Sequence, residues 1–449
     1  MNKIDLLKTR KAEILEKSSK VRDNVSLLVD ENSFVELHAF SFSSGEVFNS
    51  SAVESGVITG YATIDGFPFY VVAQNKGVSS GGLTKGNIDK IIACVEKAYS
   101  SETPVIYLLE SNGVQVKEGV AVLEGISNLI KASNALKGVA LQFVIATGDV
   151  LGSSALIASN ADFTFVVKDA CVSYASPQVI CAEDKKTVSS SKNGVKTFGV
   201  GSIESAKDKI LEILSILPKY SGYEVEDFED MMRSTPSLND KVDANSLISA
   251  TFDDGKFVKM NEDYAPEVIT GIGRVGGIST ASIMFDGGDN GVDITLEVAL
   301  KIKNFANFAY DNGLPIISFV KCNGIKADLQ TSNSLVMAEL MNALYNLSEL
   351  KRVSVVYGKA IGLGYAFASK SLGSDYTYAF AGSKISLLDG YVGQSATYQT
   401  VDNGELESLK SSYDEIQDSF NCAKQGFVDN IIEPEFVRQY VISALQMIL

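Results

Sequence analysis

The stretch VITGYATIDGFPFYVVAQ, residues 57–74, is met again 211 residues later as VITGIGRVGGISTASIMF, residues 268–285. In the first copy, β-branched and aromatic residues flank Asp65-Gly66, the strongest short signal for a two-residue hairpin turn. Working outward, PVIYLLESNG (104–113) returns as PIISFVKCNG (315–324) at the same offset. FVIATGDVLGSSALIASNADFTF (143–165) is answered by VVYGKAIGLGYAFASKSLGSDYTY (355–378). Three collinear matches at nearly constant offset imply two homologous halves, and the period is too long for a solenoid. The chain reads as a duplicated α/β protein with two related pockets.

Composition narrows the chemistry. The 449 residues, 45% hydrophobic and 21% charged, suit an ordinary globular chain of two to three domains' length. No apolar run approaches the roughly 18 residues needed to span a bilayer. The start, MNKIDLLKTRKAEILEK, is a charged amphipathic helix without the apolar core of a secretory signal. Five scattered cysteines (Cys94, Cys171, Cys181, Cys322, Cys422), none in a CxxC pair, argue against a disulfide framework and for a reducing, cytoplasmic location. A formal charge of −16 disfavours nucleic acid as a partner. The single histidine, His38, rules out a Ser-His-Asp triad or a His-rich zinc site, so no metal is expected. Backbone dipoles, carboxylates or a cofactor must carry any catalysis.

The pattern along the chain alternates strands and helices. An N-terminal helix to about residue 32 precedes the hairpin, and helices follow over 88–101 and 120–136. PVIYLLES and VALQFVIAT are continuous apolar runs, the signature of buried parallel strands. Residues 183–196 read as a surface loop, and the acidic stretch 220–245 as a linker. A helical tail closes the second half.

Both halves place a small-residue turn between an apolar strand and a helix: Gly148 to Ser154 in the first, Gly358 to Gly364 in the second. A helix N-terminus presents unpaired N–H groups at the positive end of its dipole, and small residues let a ligand oxygen approach them. Two such amides aimed at one developing anion form an oxyanion hole that needs no histidine. Tight packing alone also explains such turns.

The blocks GVITGYATIDGFPFYVVAQ, SGGL (80–83), PVIYLLESNGVQVKEG, ADFTFVV and KAIGLGYAFASKSLGSDYTYAF occur in an order that resembles the beta-type carboxyltransferase subunits of biotin-dependent acyl-CoA carboxylases and the related acyl-CoA decarboxylases. The resemblance runs from about residue 33 to about residue 434. It implies two tandem crotonase-like (ClpP/crotonase) domains of α/β class, residues 1–225 on the acyl-CoA side and 226–449 on the biotin side. It places the thioester oxygen on the amides of Gly152, Ser153 and Ser154, and the biotin ureido oxygen on those of Gly362, Leu363 and Gly364. Gly81, Gly82, Lys85, Asn112, Gly113 and Lys117 become candidate contacts in the first half, Asn323 and Gly324 in the second. Lys76 joins Lys85 and Lys117 as a candidate for the CoA phosphates. The implied chemistry is release of CO2 from carboxybiotin, removal of the thioester α-proton by the biotin anion, and attack of the enolate on CO2. Biotin arrives on a separate carrier, because Val258-Lys259-Met260 lacks an attachment motif and the two halves fill the chain. The implied partners are a biotin carboxyl carrier protein, a biotin carboxylase or membrane decarboxylase subunits, and copies of the chain itself in a homodimer or homohexamer.

The chain departs from the family pattern at five places. Ser153 replaces a glycine of the first turn, and Leu363 interrupts the glycine pair of the second. Ser111-Asn112-Gly113-Val114-Gln115 lacks the usual arginine, Cys322-Asn323-Gly324-Ile325-Lys326-Ala327-Asp328 stands for a Pro-Gly loop, and Asn87 stands for a histidine. Two alternatives remain open. One is a hydratase or hydrolase using Asp149, Glu110 or Glu118 as its carboxylate. The other is a scaffolding paralogue whose narrowed turns admit no substrate.

Overall fold

The structure, a computed structural model, describes residues 2–41, 56–176, 194–221, 228–325, 334–387 and 417–449. It divides into two compact units, Met1–Leu211 and Glu212–Leu449. The division falls inside the helix Ile203–Ile216, ahead of the 225/226 boundary read from the sequence. Cys181, most of the loop expected over 183–196 and the first part of the C-terminal tail lie outside the described residues.

In the first unit the strands are β1 (Val35–Leu37), β2 (Val57–Ile64), β3 (Phe67–Gln74), β4 (Val105–Ser111), β5 (Gln142–Leu151), β6 (Phe163–Val167), β7 (Val172–Ser173) and β8 (Phe198–Val200). They form one sheet in the order β1-β2-β3-β4-β5-β6-β8, with β7 beside β5. β2 and β3 make the expected hairpin, in register from Val57↔Gln74 to Ile64↔Phe67. Asp65 (φ 48°) and Gly66 (φ 79°) supply the paired positive φ of its turn. From β3 onward the main-path pairings are parallel, so each connection is a crossover. Two crossovers are the helices Lys85–Ser101 and Val120–Ala135. Thr84 starts the first of these by accepting the Asn87 amide, an ordinary N-cap. Their apolar stripes, Ile88, Ile91, Val95, Val122, Ile126 and Leu129, bury against Tyr107, Leu109 and Val144 of the sheet. Each such side chain contributes roughly 1.5–3 kcal/mol on burial.

The second unit repeats the programme. Its strands are β9 (Phe257–Met260), β10 (Val268–Val275), β11 (Ile278–Phe285), β12 (Val292–Ile294), β13 (Ile316–Ile325), β14 (Arg352–Ile361), β15 (Tyr376–Phe380), β16 (Lys384–Ser386) and β17 (Asn430–Ile432). The order is β17-β15-β14-β13-β11-β10-β9, with β16 beside β14 and an extra short β12 beside β13. Polar details are duplicated too. Asp162 Oδ2 accepts the amide that opens β5 at 2.7 Å, and Asp375 Oδ2 accepts the one that opens β14 at 2.8 Å. Lys90 is buried and donates to Val57 O at 2.8 Å. Lys301, 211 residues later and also buried, donates to Asn261 O, Tyr264 O and Ala265 O at 3.0, 2.7 and 3.2 Å.

Two expectations are corrected. β5 and β14 run on to Leu151 and Ile361, so Gly148 and Gly358 lie within strands and the turns begin at Gly152 and Gly362. The supposed linker carries structure: a 3-10 turn over Pro236–Asn239, and a helix Ala244–Thr251 with a reciprocal Asp243/Ser246 cap. Asp243, read there as a linker residue, is a helix-capping group. Among the described residues no helix is long and apolar enough to cross a membrane.

Candidate functional site

The first turn is built by a strand changing partners. The β4/β5 register shifts between Leu109 and Ser111, and the end of β5 pairs with β7, Val150↔Val172 and Leu151↔Ser173. Gly152 (φ +59°) then breaks the strand, and its N–H donates to Ser173 O (3.2 Å) and Tyr174 O (3.0 Å). That amide is committed internally. The assignment of Gly152 as an oxyanion donor is therefore corrected: it shapes the turn and leaves the donating to its successors. The helix Ser153–Asn160 follows. Ala155 N–H closes back on Gly152 O at 3.0 Å, whereas the N–H groups of Ser153 and Ser154 have no acceptor among the described residues. They sit where the helix dipole is positive. Ser154 is fully buried, and its Oγ accepts Gln74 Nε2 at 2.9 Å. Beside Ser153 a cavity of about 240 Å³ opens, lined chiefly by Ile126, Leu129, Ile130, Leu156 and Ile157.

Two other loops reach this turn. A Cβ on Gly152 would lie 3.1 Å from Gly113 Cα, so the Ser111–Gly113 loop abuts it directly. That loop is held by Ser111 Oγ, which donates to Gly81 O (2.7 Å) and accepts Gly113 N–H (3.1 Å). Asn112 N–H to Ser80 O (3.1 Å), Leu83 N–H to Gly113 O (2.9 Å) and Gln115 N–H to Leu83 O (2.9 Å) zip the SGGL segment onto it. Gly81 is required there, because a side chain would strike Glu110 O. Gly81, Gly82, Asn112 and Gly113 thus gather with Ser153 and Ser154.

The second turn repeats this with changes. β14 ends against β16, Ile361↔Ser386, Gly362 (φ +52°) breaks the strand, and a 3-10 helix, Gly362–Ala368, replaces the α-helix of the first unit. Gly364 packs on β13 so closely that a Cβ would stand 2.7 Å from Cys322 O. Gly324 (φ +87°) faces the turn, and a Cβ there would sit 3.6 Å from Leu363 N and 3.7 Å from Gly364 N. The nearest neighbour of that Cβ would be Ile361 O at 2.9 Å, so the backbone leaves no room for a side chain there. Leu363 is 49% exposed. Cys322 takes the part of Ser111, its Sγ accepting Gly324 N–H at 3.5 Å, and burial raises the thiol to about 12. Asn323 Nδ2 donates to Asn290 O (2.9 Å) and Asp293 Oδ1 (3.0 Å), pinning a neighbouring loop, while its Oδ1 has no hydrogen-bond partner among the described residues.

The charged candidates divide. Lys85 Nζ pairs with Asp89 at 2.6 Å, and Lys76 Nζ with Glu110 at 2.6 Å. Lys117 is exposed and has no ion pair among the described residues. Glu118 Oε2 accepts the Lys85 amide at 2.6 Å as a helix cap, and Asp149 is half-buried on β5. His38 is exposed, at φ 55°, just after β1. Sequence reasoning passed over Gln74, whose burial beneath Ser154 only the fold reveals.

Two tandem units of one topology, each ending a parallel strand in a glycine turn that offers first-turn amides, define a crotonase-like protein. The chain belongs to the carboxyl transferase domain family, which it matches over residues 16–449. It is 26% identical to the propionyl-CoA carboxylase carboxyltransferase subunit of Haloferax mediterranei, across 95% of this chain and 90% of that protein. To the methylmalonyl-CoA decarboxylase subunit alpha of Veillonella parvula it is 27% identical, across 95% and 89%. The crystal structure of transcarboxylase 12S, a hexamer with methylmalonyl-CoA and methylmalonic acid bound, matches with a TM-score of 0.90 at 23% identity, over 99% of this chain and 95% of that one.

Proposed function

We propose that this chain is a carboxyltransferase subunit that moves a carboxyl group between biotin on a separate carrier and the α-carbon of a short acyl-CoA. The observation that carries the reading is the pair of equivalent turns. The Ser153 and Ser154 amides hold the thioester oxygen, and those of Leu363 and Gly364 hold the biotin ureido oxygen. Gly324 packs directly against this turn, where a Cβ would meet Ile361 O at 2.9 Å with the Leu363 and Gly364 nitrogens 3.6 and 3.7 Å away. Biotin, when bound, supplies the carboxyl group in labile form and a base; the protein supplies fixed dipoles that stabilise negative charge as it develops. The apolar cavity beside Ser153 suits a small acyl group, and the exposed Lys117 suits a CoA phosphate. Lys85 and Lys76, both paired, are weaker candidates. Glu110 and Glu118 are tied to Lys76 and to the Lys85 amide, which leaves Asp149 as the carboxylate on which a hydratase reading would rest. We place the subunit in the cytoplasm as a homodimer or homohexamer, served by a biotin carboxyl carrier and either a biotin carboxylase or membrane decarboxylase subunits.

Purified protein should exchange labelled carboxyl between free biotin and one or more of malonyl-, methylmalonyl- and glutaconyl-CoA. No exchange with any of them, alongside hydration of crotonyl-CoA, would replace this reading with the hydratase one.

A further inference from the structure

The two units carry opposite charges at one equivalent place. Glu110 and Lys321, 211 residues apart, hold equivalent positions in β4 and β13: Glu110 is next to last in β4, whereas β13 continues past Lys321 to Ile325. Each lies across a glycine of the next strand. A Cβ on Gly148 would strike the Glu110 carboxylate, and one on Gly358 would lie 2.9–3.1 Å from Cγ, Cδ and Cε of Lys321. In the first unit the charge is neutralised by Lys76, 2.6 Å away. The residue equivalent to Lys76 is Gly287, and Lys321 has no ion-pair partner among the described residues. The residue is half-buried, and its ammonium lies 5.7 Å from the centroid of the Tyr357 ring.

The stem covers Gly358, and the ammonium faces the Tyr357 ring in a cation–π contact that holds the charge without neutralising it. With no anion paired to it among the described residues, that charge is available to an incoming anionic ligand. Ligands of open α/β sheets bind toward the carboxyl ends of strands, and Lys321 lies in the carboxyl-terminal half of β13. The next residue, Cys322, backs the second turn through Gly364.

We propose that Lys321 is the anion-recognising residue of the second unit and holds the carboxylate in transit between donor and acyl-CoA. This rests on the reading of the second turn as the carboxyl-donor side. It makes the two pockets electrostatically distinct: the first keeps a closed Lys–Glu pair, the second an open cation.

The test uses the full chain and two small probes, malonate as carboxylate and biotin methyl ester as a neutral ring, titrated by calorimetry. Lys321→Met, which keeps the stem, should weaken malonate binding by at least tenfold, and Lys321→Arg should stay within threefold of the wild type. Lys321→Glu should abolish malonate binding. Biotin methyl ester should bind all four proteins alike. Unchanged malonate affinity in Lys321→Met overturns the proposal, as does equal competition by inorganic phosphate, which would show a site for any anion. Wild-type protein that binds malonate but not the ester keeps Lys321 as a carboxylate site and removes biotin from this unit. Protein that binds neither overturns both.

Discussion

Burial of a single side chain shows how far residue identity alone could be read. The apolar spacing of the helices Lys85–Ser101 and Leu296–Asp311 is legible in sequence, yet Lys90 and Lys301 sit on their buried faces. A pattern of apolar letters assigns lysine to solvent, and only the folded chain supplies the carbonyls that accept from these two. Burial lowers both ammonium groups to about 8, against roughly 10.4 in an unfolded chain. Between those limits the unfolded state binds a proton that the native state lacks, so each lysine makes stability rise with pH across that window. Cys94 and Cys322 act oppositely. Burial raises both thiols to about 12, and above roughly pH 8.5 the unfolded chain loses protons that the native chain keeps. The wild-type profile is thus a near-cancellation, and a difference measurement is needed. Relative to wild type, Lys301→Met should lose up to about 2 kcal/mol more stability at pH 9.5 than at pH 7.5. Urea midpoints at the two pH values read this directly. A gap that stays constant would mean that Lys301 is charged in the native state throughout.

Elements were legible wherever periodicity decided them: the hairpin, the parallel strands and the crossover helices all appear where the pattern put them. What the pattern missed was where β5 and β14 end. Gly148 and Gly358 look like turn residues, but they lie inside strands, because a second pairing with β7 and β16 extends each strand after the main sheet has let go. That pairing is non-local and leaves no local signal. It also explains why Gly152, a natural reading for a donor, has its amide taken. The loop that abuts the turn depends on one hydroxyl: Ser111 Oγ joins Gly81 to Gly113. Ser111→Ala would leave a buried carbonyl and a buried N–H without that partner, at a cost of about 1–3 kcal/mol. With the loop loosened against Gly152, the KM for the acyl-CoA should rise several-fold. Cys322→Ser imports the first unit's chemistry into the same position of the second and should cost less than Ser111→Ala. Chemical denaturation together with steady-state kinetics on both variants would check the ranking, and the reverse order would refute the equivalence of the two loops.

At the scale of the whole molecule, each unit closes its own apolar core, around Ile91, Tyr107 and Leu129 in the first and Phe252, Phe319 and Val441 in the second. Damage at one turn should therefore stay with one ligand. A backbone amide is best removed with proline, which lacks the N–H and is tolerated in the first turn of a helix. Ser153 opens its helix, so Ser153→Pro deletes one donor at a position where proline fits. Leu363 lies in the first turn of its 3-10 helix, so Leu363→Pro does the same in the second unit. Loss of one oxyanion donor typically lowers turnover about 10²–10³-fold, and each variant should fall in that range for carboxyl exchange. Binding should separate them. Ser153→Pro should leave the affinity for biotin methyl ester within twofold of wild type, and Leu363→Pro should leave that for acetyl-CoA within twofold. Ser153→Ala, which keeps the amide, should exchange carboxyl almost as wild type does. Thermal melts distinguish a lost donor from a lost fold. If either proline variant weakened both ligands equally, or if Ser153→Ala were as impaired as Ser153→Pro, the duplicated turns would not be two independent cradles made of main chain.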